Sequence, residues 1–340
     1  MNTAEYRQSH SVRGRIGFAI GLIVTVGHGS LLRAGSFVDD FSNDPLLTWQ
    51  LADGPGDGFG DNENGQLEYQ QDDQELIVHY DSSLPTVRLQ HDLDRLWTQE
   101  DAFAFTATLR FDSIEAPDND FMQISFALTN SQTTGAQRTG TFPVIDSNTF
   151  DNLELAYYPN VSEFFGGPFA TLTVQGSSDG SSSAFDHLSF TSVEMELPLG
   201  ETLTLRGHYN PLTTTLTYRI DGLVEMSVDI TERPPFGSPA GQFAVDRFSI
   251  SSYFDGEDFT PETISLQATV AYESVEFIAL GDGDDDGDVD LVDFGGFQRC
   301  FSGPERMATA PCAFYDFDGD GDVDIDDYSV FQFVGTGPQS

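Results

Sequence analysis

Basic residues are scarce in this chain. Its 340 residues include 14 lysines and arginines against 56 aspartates and glutamates, a formal net charge of −42. Such a surface repels phosphate backbones and anionic headgroups alike, which excludes nucleic acid and acidic membranes as partners. Long apolar runs are also missing. The one clear run, residues 16–26, is shorter than the roughly 20 residues a membrane span needs. Six histidines (His10, His28, His79, His91, His187 and His208) form no pair at i, i+2 or i+4. No phosphate-binding loop occurs, so nucleotide-dependent chemistry has no sequence support.

The apolar run has a context of its own. Arg13 and Arg15 precede it, and small residues from Gly27 to Gly35 follow it. A basic n-region, a short h-region and a small-residue c-region make residues 1–35 a secretory signal peptide, with cleavage expected near Ala34. The mature chain is therefore expected outside the cytoplasm, secreted or at the cell surface, where the acidic surplus serves solubility.

Residues 36–279 read as strands. Phe103, Phe105, Ala107, Leu109 and Phe111 alternate with polar residues, as do Met122, Ile124, Phe126 and Leu128, the period-2 pattern of half-buried strands. Leu153 with Leu155, Ala170 with Leu172 and Val174, and Leu203 with Leu205 repeat it. Leu216, Tyr218 and Ile220 lead into Asp221-Gly222 and then Leu223 to Met226, which predicts a hairpin closed by a type I′ turn. Gly, Pro and Ser clusters separate the runs. The pattern predicts one large antiparallel β-sandwich, so the fold class is mostly β. The opening phrase Phe37-Val38-Asp39-Asp40-Phe41-Ser42 and the closing phrase from Val270 to Phe277 resemble the first and last strands of concanavalin-like, laminin-G-like jelly rolls. That resemblance implies that the two strands lie side by side.

The C-terminal stretch, residues 281–338, repeats one pattern. Asp282, Asp284, Asp286, Asp288, Asp290 and Asp293 recur, 34 residues on, as Asp316, Asp318, Asp320, Asp322, Asp324 and Asp327. Each set fits a twelve-residue calcium loop: side-chain oxygens at positions 1, 3, 5 and 12, a backbone oxygen at 7 and a water-linked group at 9. Gly287 and Gly321 stand at position 6, where the chain turns back. One such match could be a solvated acidic loop, but two in register point to metal. Phe294, Phe297 and Phe301 after the first loop, and Tyr328, Phe331 and Val334 after the second, are spaced as the buried stripes of two short helices.

A calcium loop followed by one helix, duplicated, with Asp closing each loop and a strand in place of the entering EF-hand helix, resembles the type I dockerin module. The resemblance implies two bound Ca²⁺ ions, ligands Asp282, Asp284, Asp286, Asp290 and Asp293 with the backbone of Asp288, and the equivalent set Asp316, Asp318, Asp320, Asp324 and Asp327 with Asp322. It also implies a cohesin-like protein partner, commonly on a scaffold of polysaccharide-degrading or cell-surface proteins. Loop positions 10 and 11 depart from the family, being Leu291-Val292 and Ile325-Asp326 where small hydroxyl residues are frequent. The only cysteines, Cys300 and Cys312, form a disulfide if the exported chain is oxidised, or are two buried thiols otherwise.

Catalytic residues are not evident. Jelly-roll glucanases place paired carboxylates on one strand, about 5 to 5.5 Å apart in retaining enzymes. The nearest patterns here are Glu194-Met195-Glu196 and Glu273 with Glu276, the latter expected on opposite faces. For sugar stacking the candidates are Trp49, Trp97, Tyr157, Tyr158, Phe164 and Phe165, with a long loop expected over residues 157–169. The sequence thus reads as a secreted, non-catalytic calcium-binding protein whose sandwich binds carbohydrate and whose tail docks to a partner. The alternative is a polysaccharide hydrolase, a glycosidase, carrying a dockerin.

Overall fold

The computed structural model describes residues 36–45, 48–51, 67–70, 74–81, 88–115, 122–134, 150–159, 168–177, 187–234, 237–254, 267–284, 289–304 and 306–335. The expected signal peptide, residues 1–35, lies outside them. Residues 32–340 form one compact unit. Among the described residues no helix is long and apolar enough to cross a membrane.

Among the described residues fifteen strands precede two helices. The first five are β1 (Phe37–Asp39), β2 (Gln50–Leu51), β3 (Leu67–Gln70), β4 (Glu75–Asp81) and β5 (Arg88–Thr98). Then come β6 (Phe103–Glu115), β7 (Met122–Thr129), β8 (Asn152–Tyr158), β9 (Phe169–Gln175) and β10 (Leu188–Glu194). The last five are β11 (Thr202–Asn210), β12 (Thr215–Ile220), β13 (Val224–Asp229), β14 (Ala244–Phe254) and β15 (Gln267–Ala279). Helices α1 (Leu291–Cys300) and α2 (Ile325–Val334) follow, with a 3-10 turn at Ala310–Tyr315 between them.

The strands form two antiparallel sheets. One runs β13-β12-β11-β6-β15-β4-β3, with β1 also on β15, and the other runs β10-β9-β8-β7-β14-β5-β2. Their facing sides make one core. Phe103, Phe105, Ala107, Leu109 and Phe111 all point into it, as alternation required, and Leu153, Leu155, Leu172, Val174, Phe248 and Ile250 meet them from the other sheet. Aromatic rings fill the middle: Phe103 stacks on Tyr209 at 5.4 Å and on Phe277 at 5.6 Å, and Trp97 meets Phe277 edge-on at 5.0 Å. Each such pair contributes about 0.5 to 1.5 kcal/mol beyond area burial. One glycine is required by this crowding. A Cβ on Gly207 would fall 1.9 Å from Phe105 Cζ on the paired strand.

The first and last strands do lie together, with Phe37 opposite Phe277. The phrase around them is tied by Asp39, whose carboxylate accepts from Trp49 Nε1 at 2.7 Å and from the Phe41 backbone at 2.8 Å. The hairpin at Asp221-Gly222 forms, but not as a type I′ turn. Ile220 pairs with Val224, so the connection has three residues, and only Gly222 takes a positive φ, +77°. The Leu223 N–H reaches back to the Ile220 carbonyl at 3.0 Å, closing a turn in which Asp221 keeps a negative φ.

Candidate functional site

Both acidic loops owe their closed shape to the aspartate at position 12. Asp293 is the N3 residue of α1: its Oδ2 accepts from the Asp290 N–H at 2.8 Å, while Asp290 caps the helix by accepting from Val292 N at 2.7 Å. Its Oδ1 accepts from the backbone of Gly283 and Asp284. The second copy repeats this bond for bond. Asp327 Oδ1 accepts from Phe317 N at 2.6 Å and Asp318 N at 3.3 Å, and Oδ2 from Asp324 N at 2.7 Å. Asp324 in turn caps α2 through Asp326 N at 2.8 Å. A carboxylate at a helix N-terminus gains from both the free N–H groups and the helix dipole.

These ties gather the other carboxylates. Asp282, Asp284 and Asp293 bring ligand oxygens within 4.8 Å of one another. Asp286 and Asp288 lie outside the described residues. In the second loop the six expected ligands fall into two groups, Asp316 with Asp318 and Asp320, and Asp322 with Asp324 and Asp327. This differs from a single ring of positions 1, 3, 5 and 12: Asp327 lies with Asp322 and Asp324, whereas Asp293, held by equivalent backbone donors, lies with Asp282 and Asp284. Burial, with Asp318 and Asp320 close by, pushes Asp316 up to about 7. Burial likewise pushes Asp327 up to about 7, against the pull of its backbone donors. Oδ1 of Asp316 is buried and has no hydrogen-bond donor. A hard oxygen with no donor, in a set composed only of carboxylates, fits Ca²⁺ and not a thiolate-preferring metal.

The two helices pack through the predicted aromatics, with Phe294 against Tyr328 and Phe331, and Phe297 against Phe331 at 5.4 Å. Cys300 and Cys312 are joined in a disulfide that ties α1 to the 3-10 turn. The tail also rests on the sandwich: Leu280, Phe317 and Ala102 share one apolar cluster, to which Ala104 and Ile278 add. His208 of β11 lies at this seam. Burial pushes its imidazole down to about 4, opposed by a hydrogen bond to the Phe317 backbone.

On the sandwich, three of the expected sugar-stacking rings are core, Trp49, Trp97 and Tyr157, and Tyr158 is buried on the opposite face of β8 in a small cluster with Ala156 and Phe169; Tyr157 and Tyr158 belong to a strand and not a loop. Alternation explains it, since Tyr157 faces the core and Tyr158 stacks on Phe169 at 4.5 Å. Phe164 and Phe165 lie outside the described residues. Glu194 ends the edge strand β10, and Glu196 follows it. Glu273 and Glu276 share the outer face after all. A bulge between Tyr272 and Ser274 puts two consecutive residues outward, and Glu273 meets Thr202 Oγ1 at 2.9 Å and Arg110 at 3.6 Å.

What single-sequence reading missed is the outer face of the seven-stranded sheet. One rung crosses it as Gln90, Ser249, Ala127, Glu154 and Thr173. The next crosses as Arg88, Ser251, Ser125, Ala156 and Thr171. Glu154 is 1 % exposed and accepts from Asn152 Nδ2 at 3.3 Å. Asn152 is fully buried, and its Oδ1 has no donor. Ser125 bonds Ser251 at 3.1 Å and Thr129 bonds Ser249 at 2.7 Å. The only available signal was a strand with polar residues at alternate positions, Asn152 and Glu154, where most other runs alternate into solvent.

No family model matches the chain, and no curated protein matches it. Solved structures of similar architecture exist. An immunostimulatory antigen and pseudo β-1,3-glucanase of Mycobacterium tuberculosis is 13 % identical over 72 % of this chain and 98 % of its own, with a TM-score of 0.44. A glycoside hydrolase family 16 endo-glucanase from Bacteroides ovatus is 12 % identical over 71 % and 99 %, with a TM-score of 0.43. LamAcat from Zobellia galactanivorans is 12 % identical over 71 % and 96 %, with a TM-score of 0.42. Sandwiches of one architecture host unrelated chemistries, so this likeness assigns no activity.

Proposed function

We propose that this is an exported, carbohydrate-directed β-sandwich protein that carries a calcium-binding, dockerin-like module at its C-terminal end. The observation that supports the carbohydrate reading is the polar outer face around Glu154, where hydroxyls, amides and one carboxylate follow each other from strand to strand. A polyhydroxylated ligand needs such a mixture, because each sugar hydroxyl both donates and accepts. The fully buried Asn152 Oδ1, lacking a donor, adds an acceptor to it.

Hydrolysis is the second reading, and Glu154 favours it. A carboxyl withdrawn from bulk water is the setting in which a glycosidase acid works. Hydrolysis needs two carboxyls, and Glu154 is the one carboxylate in these two rungs among the described residues. The test is the full chain against a panel of neutral polysaccharides, read by affinity electrophoresis and by release of reducing ends. Retarded migration that Glu154→Gln weakens supports the carbohydrate reading, and reducing ends lost in the same variant support hydrolysis. No retardation and no turnover on any polymer would reject both.

In the tail, Asp282, Asp284 and Asp293 would hold one Ca²⁺ ion, with Asp286, Asp288 and Asp290 completing the expected set. Asp316, Asp318, Asp320, Asp322, Asp324 and Asp327 would hold the other. Bound calcium would cancel the repulsion among these carboxylates and so fix the helix pair. The docking surface we assign to this module includes Leu291, Val292 and Ile325, which are 80, 59 and 60 % exposed. Beside them a groove of about 310 Å³ is lined by Val289, Leu291, Phe294, Tyr328 and Phe331. A cohesin-like domain is the expected partner, and pull-down with a cohesin panel, with calcium and with chelator, tests it. Equal capture under both conditions, or none, would reject calcium-dependent docking.

A further inference from the structure

The two sheets end beside each other, and a groove lies at that end. β10 is the last strand of one sheet and β13 the last strand of the other. The groove has a volume of about 250 Å³ and is lined from β10 by residues 189–191, from β13 by residues 227–229, and by Glu232 and Arg233 just after β13. That is below the roughly 300 to 1,000 Å³ of a drug-sized pocket, so it suits one unit of a larger ligand. Phe190 pairs with Thr173, and Thr173 with Glu154. The groove therefore lies at the end of the polar rung through Glu154, two strands or about 10 Å away.

Its polar groups are of two kinds. Some are spent on the walls: Asp229 Oδ1 accepts from Thr231 N and Thr214 Oγ1, each at 2.8 Å, Ser227 Oγ bonds Thr217 Oγ1 at 2.9 Å, and Ser189 Oγ accepts from Ala240 N at 3.1 Å. The side chains of Thr191, Glu232 and Arg233 make no hydrogen bond or ion pair among the described residues. For the arginine this is unusual here. All 14 basic residues of the chain are arginines, set against 56 acidic residues. Arg95, Arg110, Arg206, Arg219 and Arg247 each pair with a carboxylate. Arg233 is exposed beside the groove with none.

We infer that this groove is a second sugar-binding site, which takes one ring of a neutral polysaccharide. This rests on the carbohydrate reading above and adds to it a site apart from Glu154. Adjacent hydroxyls of a sugar ring each donate and accept, so Arg233 donates to them, Glu232 accepts from them, and the Thr191 hydroxyl does either. Phe190 supplies the apolar wall that such pockets combine with a few polar groups. Asp229 and Glu232 against one guanidinium leave the groove net negative, which turns away uronates and sulfate esters and favours an uncharged ring.

The test is affinity electrophoresis of the full chain in gels holding β-1,3-glucan, mixed-linkage β-glucan, xylan, galactomannan or polygalacturonate. Migration is taken relative to a polymer-free gel, so that changes in protein charge cancel. The variants are Arg233→Ala, Thr191→Val on the opposite wall, and Arg219→Ala, an exposed arginine outside the groove. A hydrogen bond from a charged donor corresponds to about a tenfold change in an equilibrium constant, and a neutral one to about fivefold. The expected result is retardation by a neutral polymer that weakens about tenfold in Arg233→Ala and about fivefold in Thr191→Val, and is unchanged in Arg219→Ala. Neither Arg233 nor Thr191 has a side-chain partner to lose, so thermal unfolding of both variants should match wild type. Retardation of both variants equal to wild type would overturn the groove site and leave the Glu154 face standing. Retardation by polygalacturonate alone, lost in Arg233→Ala, would overturn the neutral class of ligand. Wild type retarded by no polymer would overturn the groove and the carbohydrate reading together.

Discussion

Calcium and protons should compete for the second loop. Asp316 and Asp327 both sit at about 7 in the folded module against an ordinary value of 3.8, mainly because burial disfavours the charged form. The sign follows from linkage. A carboxyl whose folded value is raised keeps its proton in the folded state and gives it up in the unfolded one. The calcium-free module is therefore most stable below about pH 4 and loses that stability as pH rises to about 7. Three pH units correspond to roughly 4 kcal/mol of differential interaction per group, and solvent screening at these partly accessible sites brings that to about 2. Calcium requires both groups ionised, so at pH 6 its binding should expel about 0.9 proton from each, roughly two in all, and almost none at pH 8.5. The assay is calorimetry at both pH values in buffers of different ionisation enthalpy, on a full chain whose first loop is disabled by Asp282→Asn and Asp284→Asn. Asp316→Asn should lower the count by about one. Binding enthalpy independent of buffer at pH 6, with calcium still bound, would refute the argument.

Three further outcomes follow from packing. Asp327→Ala strips the acceptor from three backbone N–H groups and should cost the tail about 3 to 5 kcal/mol in calcium-free thermal unfolding, whereas Asp326→Ala, on the exposed side of the same helix turn, should stay within about 0.5. Reducing the Cys300 to Cys312 disulfide should lower tail stability by about 2 to 3 kcal/mol in urea while the sandwich transition holds, and an unmoved tail midpoint would count against it. Gly207→Ala drives a methyl into the Phe105 ring and should destabilise the sandwich by about 1 to 3 kcal/mol or more, partly recovered by adding Phe105→Leu. Additive destabilisation in that double variant would show that the clash is not with this ring.

Much of the fold was readable from period alone. A run such as residues 103–111 has one apolar face, and no register but the observed one buries it, so inward residues follow from alternation. The helix pair of the tail was readable for another reason: one acidic spacing occurs twice, 34 residues apart, each time followed by an apolar stripe at helical spacing. Phe294 and Phe297 met Tyr328 and Phe331 because residues three apart share one helix face, whereas Phe301, expected in the first stripe, lies past the end of α1 and is half exposed. The disulfide partners needed no choice, because the chain has only two cysteines.

Tertiary structure decided everything that depends on what lies across a sheet or a seam. Tyr157 looked like a loop ring and is core, because β8 runs through it with every residue buried. A one-residue bulge in β15 put Glu273 and Glu276 on one face, which counting by two could not foresee. Glu154 acquired its neighbours only when β7 and β9 paired on either side of it, and His208, 109 positions before Phe317 in the chain, met the second loop only through the closing of β11 against the tail. Local periodicity and spacing are properties of neighbours along the chain. Pairing, bulges and docking bring together residues remote along it, and there the sequence is silent until the chain has folded.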